Sequence, residues 1–86
     1  MWDRRVSEAE VARVLGLIAD PPGLSDDAEQ PGHLRRFEDG VVRYETGFTV
    51  YEFSDGTRAA VGVHPWLSVN VTFPDGRRVS VLQEEQ

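Results

Sequence analysis

The spacing of apolar residues divides this chain into a helical part and a strand part. Between Val11 and Ile18 the apolar residues recur at i, i+3, i+4 and i+7, which places them on one face of a helix. From Leu34 onward apolar and polar residues alternate instead, most clearly between Leu67 and Phe73. Alternation of this kind is typical of strands with one buried face and one face in water. The pattern predicts one helix followed by an antiparallel sheet.

The predicted helix has a clear beginning and end. Its first residues, Ser-Glu-Ala-Glu from Ser7 to Glu10, form a capping box in which Ser7 accepts from the Glu10 amide and the Glu10 side chain returns to the Ser7 amide. Val6 and Val11 flank the cap at the spacing of a hydrophobic staple. The stretch Asp-Pro-Pro-Gly that begins at Asp20 stops the helix. We expect a helix over about residues 7–19.

The strand part contains three copies of Phe-x-Asp-Gly, which start at Phe37, Phe53 and Phe73. Asp before Gly is ordinary turn chemistry, because Asp bonds to the nearby backbone and Gly adopts a left-handed conformation without steric penalty. We therefore interpret the three aspartates as hairpin residues and not as cation ligands, which in calcium loops are packed more densely.

Each copy predicts a strand register through a three-residue loop. In the third copy Phe73 faces Arg77, and in the second Phe53 faces Thr57, so that Glu52 lies opposite Arg58. The first copy fits less well. The same loop pairs Phe37 with Val41, but it places two arginines, Arg35 and Arg43, opposite each other.

The predicted architecture is α+β: one N-terminal helix packed on a four- to five-stranded antiparallel β-meander sheet. We expect a single domain over residues 1–86, with an acidic Pro/Gly loop at 20–33, the meander at 34–82 and a polar tail at 83–86. Gly47 interrupts the run from Val41 to Phe53 and marks either a turn or a bulge.

Composition excludes several kinds of chemistry. The chain has no Cys, which removes disulfides, thiolate nucleophiles and Cys-bound metals, and its nine basic residues are all Arg. A net charge of −6 argues against direct binding of nucleic acid. No secretory signal or membrane span is evident, so we expect a cytoplasmic protein without cofactors or metals.

Two segments depart from the hairpin rule and are the candidate binding sites. The loop carries four acids. The triplet from His64 to Trp66 marks a corner between strands, where Trp66 either packs against Trp2 or the helix or, if partly exposed, serves as an interface anchor. The predicted partner-binding residues are Asp20, Asp26, Asp27, Glu29, His64 and Trp66.

These features favour a small, acidic, non-enzymatic module that binds another protein, for example one with a basic surface, and occludes or bridges it, as inhibitors, immunity proteins and anti-defence factors do. One alternative is a ligand-binding or enzymatic domain in which His33 and His64 line a pocket with nearby carboxylates. The other is a structural homodimer joined through the last strand, Arg77 to Leu82, as an exposed edge.

Overall fold

A computed structural model describes residues 2–25, 33–63 and 67–83, and these form one helix and a six-stranded antiparallel sheet. The strands follow the sheet order β1-β2-β3-β4-β5-β6, so every neighbour in sequence is also a neighbour in space. The elements are α1 (Glu8–Ala19), β1 (Leu34–Phe37), β2 (Gly40–Glu45), β3 (Phe48–Phe53), β4 (Arg58–Gly62), β5 (Leu67–Thr72) and β6 (Arg78–Gln83). The predicted α+β meander is confirmed, with six strands where four to five were expected.

The turn at Gly47 explains the additional strand. Glu45 pairs with Phe48, so Thr46 and Gly47 alone connect β2 to β3. Gly47 has a φ of 91°, and a positive φ at the second central residue of such a turn favours Gly strongly. Of the two predicted possibilities, a turn or a bulge, the chain adopts the turn.

The helix begins as the sequence predicts but with a different partner for Glu10. Ser7 is the N-cap, and its hydroxyl accepts a hydrogen bond from the Glu10 amide at 3.1 Å. The Glu10 carboxylate accepts from Arg77 at 2.9 Å instead of returning to the Ser7 amide. A guanidinium outcompetes a neutral amide for a carboxylate, since the bond between two charged groups is the stronger one.

The core lies between α1 and one face of the sheet. Val11 and Val14 of the helix are almost fully buried, and Val6, the predicted staple residue, is buried beside them. On the sheet, one cross-strand row supplies much of the opposing surface, and it consists of Val42, Tyr51, Ala59, Val71 and Val79. This packing buries the apolar face of every central strand, which is what the alternation predicted.

The second and third Phe-x-Asp-Gly copies form the predicted hairpins. Phe53 donates its amide to the Thr57 carbonyl at 2.8 Å, and Phe73 donates to the Arg77 carbonyl at 2.9 Å. Gly56 and Gly76 both have positive φ, as a bulge after a type I turn needs.

The first copy is built differently, and the predicted pairing of Phe37 with Val41 is wrong. Phe37 pairs with Gly40, which shortens the loop to two residues and brings Arg35 opposite Val42 instead of Arg43. Gly40 has no positive φ; it lies inside β2, where a Cβ would fall 2.1 Å from the Glu52 carbonyl oxygen. Glycine is needed there because β3 approaches closely.

Both edges of the sheet are partly covered. Trp2 bridges to Val79, and the Asp3 amide donates to the Arg78 carbonyl at 3.0 Å, so the N-terminal segment lies along the start of β6. Along β1, the Ser25 amide donates to the Arg36 carbonyl at 2.8 Å. The first part of the predicted loop is therefore anchored to the sheet, while residues 26–32 lie outside the described ranges.

Candidate functional site

The face of the sheet opposite α1, which we call the open face, carries a charge opposite to that of the whole chain. Side chains at alternate positions of the described strands point to this face, and they include four of the nine arginines but only two of the fifteen acids. The arginines are Arg36, Arg43, Arg58 and Arg78, and the acids are Glu45 and Glu52. The chain therefore separates its charge, with a positive open face on a molecule whose net charge is −6.

A groove of about 390 Å³ runs across the open face from β3 to β6. Its apolar part is formed by Phe48, Val50 and Ala60. Phe48 is 47% exposed, whereas Val50 is buried without belonging to the core under the helix. An exposed aromatic ring beside a buried aliphatic floor is a surface that gains free energy when an apolar side chain covers it.

The polar part of the groove consists of hydrogen-bond donors. Arg58, Thr72 and Arg78 lie side by side in one cross-strand row, with the threonine between the two arginines. Next to them, the Ser80 hydroxyl donates to the Asn70 Oδ1 at 2.7 Å, which leaves the Asn70 NH2 group as a donor. No carboxylate lines the described groove.

The two guanidiniums in the groove have no acidic partner within the described residues. The predicted register of Glu52 opposite Arg58 is correct, but Glu52 forms its ion pair with Arg43, at 3.0 Å between Arg43 Nη2 and Glu52 Oε1. No ion pair involves Arg58 or Arg78 in the described ranges, and both side chains are exposed. Two unneutralised cations on either side of a hydroxyl are suited to an anionic group.

Two of the three carboxylates of the predicted turns, those of Asp55 and Asp75, form structural contacts. Asp55 accepts from the Thr57 amide at 2.9 Å, and this backbone hydrogen bond is the main reason that the pKa of Asp55 is lowered. Asp75 forms a 2.7 Å ion pair with Arg77, whose side-chain hydrogen bond is the main reason that the pKa of Asp75 is lowered. Their interpretation as hairpin residues agrees with these contacts.

A second, apolar crevice of about 240 Å³ lies between the C-terminal half of α1 and the sheet. Leu15, Ile18 and Tyr51 are among its lining residues. His33, predicted as a candidate pocket residue, does not line it; this histidine is exposed at the start of β1, where its carbonyl accepts from the Tyr44 amide at 3.1 Å. The described part of the chain therefore shows no site built around His33.

Of the predicted partner-binding residues, Asp20 alone falls in the described part of the chain. It is exposed and ends α1 as the C-cap, with its amide bonded to the Gly16 carbonyl at 3.3 Å. The others, Asp26, Asp27, Glu29, His64 and Trp66, lie outside the described residues.

Residues 2–25, 33–63 and 67–83 hold no cluster of metal-ligating side chains. Nowhere in these ranges do three or more His, Asp or Glu side chains converge as metal ligands would. No helix in the same ranges has the length and apolar character needed to cross a membrane.

Sequence reasoning missed the open face, although a signal for it was present. All four of its arginines stand at polar positions of the alternating pattern in their strands, as do Asn70 and Thr72. The third hairpin places Arg78 opposite Thr72, but Arg58 joins the same row only through the pairing of β4 with β5, which neither predicted hairpin sets. The total charge of −6 obscured the local excess of positive charge.

The fold and this face define the class: a small α+β protein with one helix on an antiparallel meander and a positively charged sheet face that no described element covers. The chain is similar to the riboflavin biosynthesis protein RibBA of Salinispora tropica, with 46% identity over 63 residues that take in 70% of this chain. The similar segment is 15% of RibBA, so the chain spans only a small part of that protein's length. No protein-family model and no solved structure matches the chain.

Proposed function

We propose that this chain is a non-enzymatic module of the cytoplasm that binds a partner protein and occludes or bridges that partner's surface. The observation that carries the proposal is the open face, a sheet surface with an apolar groove and two arginines that have no acidic partner in the described residues. Apolar area with adjacent unsatisfied charge is the composition of a protein interface, where aromatic residues and Arg are the most common anchors.

The lining of the groove supports binding more than catalysis. The polar side chains that line the described groove belong to Arg, Asn and Thr and donate hydrogen bonds, and none is a His, Asp or Glu, the usual general acids and bases. A group of this kind would have to come from outside the described groove. The residues present orient and hold a partner instead.

The acidic segment supplies a second candidate contact, with a charge opposite to that of the open face. Asp20 is exposed at the end of α1, on the helix side of the sheet, and Asp26, Asp27 and Glu29 follow it in sequence. We propose that these acids, together with His64 and Trp66, contact a basic surface. A module with a basic face and an acidic segment bridges two partners or two parts of a single partner.

A second candidate function is an accessory role in riboflavin biosynthesis. The observation that favours it is the 46% identity with a segment of RibBA, which indicates that a unit of this kind also occurs within a larger riboflavin biosynthesis protein. Deleting the gene in the native host and measuring growth with and without added riboflavin tests this role. Unchanged growth and unchanged flavin content would count against it.

The main proposal is tested by affinity purification from the native host, followed by direct titration of the purified partner. The decisive variant is Ala60→Glu, which places a charged side chain in the floor of the groove. Its matched control is Ala12→Glu, the same change on the exposed surface of α1. We expect the partner to bind the control and not Ala60→Glu, with both variants folded by circular dichroism. Equal binding by the two variants would remove the open face from the interface.

Trp66→Ala tests the corner separately. If Trp66 belongs to the interface, this variant should recover less partner than the wild-type protein. The same partner list at the same yield would exclude Trp66 from the interface.

A further inference from the structure

We infer that the groove of the open face binds an acidic segment of the partner, with a carboxylate between Arg58 and Arg78 and a bulky apolar side chain against Phe48 and Val50. This inference rests on the proposed function and specifies the chemistry of the partner. It is carried by one groove in which an apolar floor lies beside two guanidiniums that have no acidic partner in the described residues.

The first argument is the geometry of the charged row. Arg58 and Arg78 flank Thr72 on adjacent strands, so their backbones are two strand spacings apart, roughly 10 Å. Two arginine side chains from opposite sides of such a gap reach one carboxylate between them. The Thr72 hydroxyl and the Asn70 amide supply further donors to the same site.

The second argument is the absence of competition within the described residues. Glu52 lies directly opposite Arg58 in the register, but it forms its ion pair with Arg43, at 3.0 Å. No acidic side chain lines the groove within the described ranges. An incoming carboxylate therefore meets cations that these residues do not already neutralise.

The third argument separates a peptide from a nucleic acid. A nucleic acid presents a long row of phosphates, which needs clustered basic residues over a wide surface. Here the basic surface is confined to one face, two of its charges are offset by Glu45 and Glu52, and the whole chain carries −6. The apolar floor of the groove matches a single large side chain better than a sugar-phosphate backbone.

The direct test is selection from a random peptide display library against the immobilised wild-type chain, followed by titration of the enriched peptides. We expect enriched peptides to carry a net negative charge and one aromatic or large aliphatic residue. Their affinity should fall as salt is raised, because the charges at the rim of the groove are exposed to solvent. Enriched peptides without an acidic bias would overturn the inference.

A double variant tests whether Arg58 and Arg78 bind the acidic peptides. Replacing Arg58 and Arg78 together by Gln should weaken binding of the selected peptides by about tenfold or more, as the loss of charged hydrogen bonds implies. The matched control replaces Arg4 and Arg13 by Gln, which changes the net charge equally but at exposed positions away from the groove. Equal weakening in both double variants would show a nonspecific charge effect and contradict the inference.

The outcome for the partner protein separates this inference from the proposed function. If Ala60→Glu abolishes partner binding but the Arg58/Arg78 double variant retains it, the open face is an interface. The inference that an acidic segment of the partner binds there would then be wrong. A single-stranded oligonucleotide that binds more tightly than the selected peptides would also overturn the inference, in favour of nucleic acid.

Discussion

At the scale of single residues, the same four-letter pattern serves two purposes in this chain. Gly56 and Gly76 follow the aspartate of a three-residue loop and adopt positive φ, which glycine does readily. Gly40 stands at the same place in the first copy but belongs to β2, where close approach of the Glu52 carbonyl excludes any side chain. The requirement for glycine is conformational in two copies and steric in the third.

We therefore expect Gly40→Ala to destabilise the protein by about 1–3 kcal/mol, the usual range for forcing extra volume into a packed site. Gly16→Ala is the control, since a Cβ added at Gly16 in α1 would meet no neighbouring atom within 4 Å. That change should raise the free energy of unfolding by about 0.5–1 kcal/mol, because alanine favours the helix. Urea unfolding of both variants measures the difference, and an unaffected Gly40→Ala protein would refute the steric explanation.

The four-letter pattern alone could not distinguish Gly40, which is needed for steric reasons, from Gly56 and Gly76, which are needed for their backbone conformation. Phe-x-Asp-Gly fixes the local turn chemistry, but the loop length of the first copy depends on how β2 meets β3, a contact made across the Thr46–Gly47 turn. The only warning was the predicted pair of Arg35 and Arg43, a like-charge pair that a sheet avoids. The structure removes this conflict by shifting the register by one residue.

At the scale of elements, one arginine joins the helix to the third hairpin. Arg77 follows the loop of that hairpin and forms ion pairs with Glu10 of α1 at 2.9 Å and with Asp75 at 2.7 Å. It also donates to the Arg5 carbonyl at 2.9 Å and lies over the Phe73 ring, 4.9 Å from its centroid. The N-terminus of α1 is thereby fixed to the end of the sheet that carries this hairpin.

We expect Arg77→Met to lower the melting temperature more than Arg4→Met, a matched change at an exposed position outside the ion pairs of the described residues. Methionine preserves much of the packing on Phe73 while removing the charge, so the difference reports the lost contacts to α1. Hydrogen exchange should show faster exchange at the start of α1 in Arg77→Met and little change in β2 and β3. Equal melting temperatures for the two variants would mean that apolar packing alone holds the helix.

Most of the order of helix and strands could be predicted from the sequence, but the contact between Arg77 and α1 could not. Helical and alternating periodicities predicted α1 and the meander because each reports burial of one face. The Glu10–Arg77 contact joins residues 67 positions apart, and the capping-box pattern assigned Glu10 a different, local role. Competition between a local and a distant partner is decided by the tertiary structure, which periodicity does not encode.

At the scale of the whole molecule, charge is distributed by face. The open face is positive, whereas described carboxylates such as Asp3, Asp55 and Asp75 occupy turns and termini, where arginines or backbone amides hold them. The candidate groove could be predicted only after the six strands were placed in register, because its arginines are scattered through the sequence. Net charge, the quantity most directly read from a sequence, has the wrong sign for this surface.

The engaged carboxylates predict how stability depends on pH. The pKa of Asp3 is lowered from 3.8 to about 2, mainly by hydrogen bonds from the Arg5 side chain and then from its amide. The pKa values of Asp55 and Asp75 are also lowered, chiefly by the Thr57 amide and by the Arg77 side chain respectively. A carboxyl whose pKa is lower in the folded protein stabilises the fold fully above its unfolded pKa and loses that contribution as pH falls.

We therefore expect the urea midpoint to hold steady above the unfolded pKa of 3.8 and to fall steadily towards pH 2, the region in which Asp3 takes up its proton. Asp3→Asn separates this effect from general repulsion among the arginines, because both proteins carry the same arginines at low pH. The variant should begin less stable at neutral pH and lose less between pH 3.8 and about 2 than the wild-type protein does. Parallel curves for the two proteins would show that Asp3 does not contribute to the acid transition, which would then rest on Asp55, Asp75 and repulsion among the positive charges.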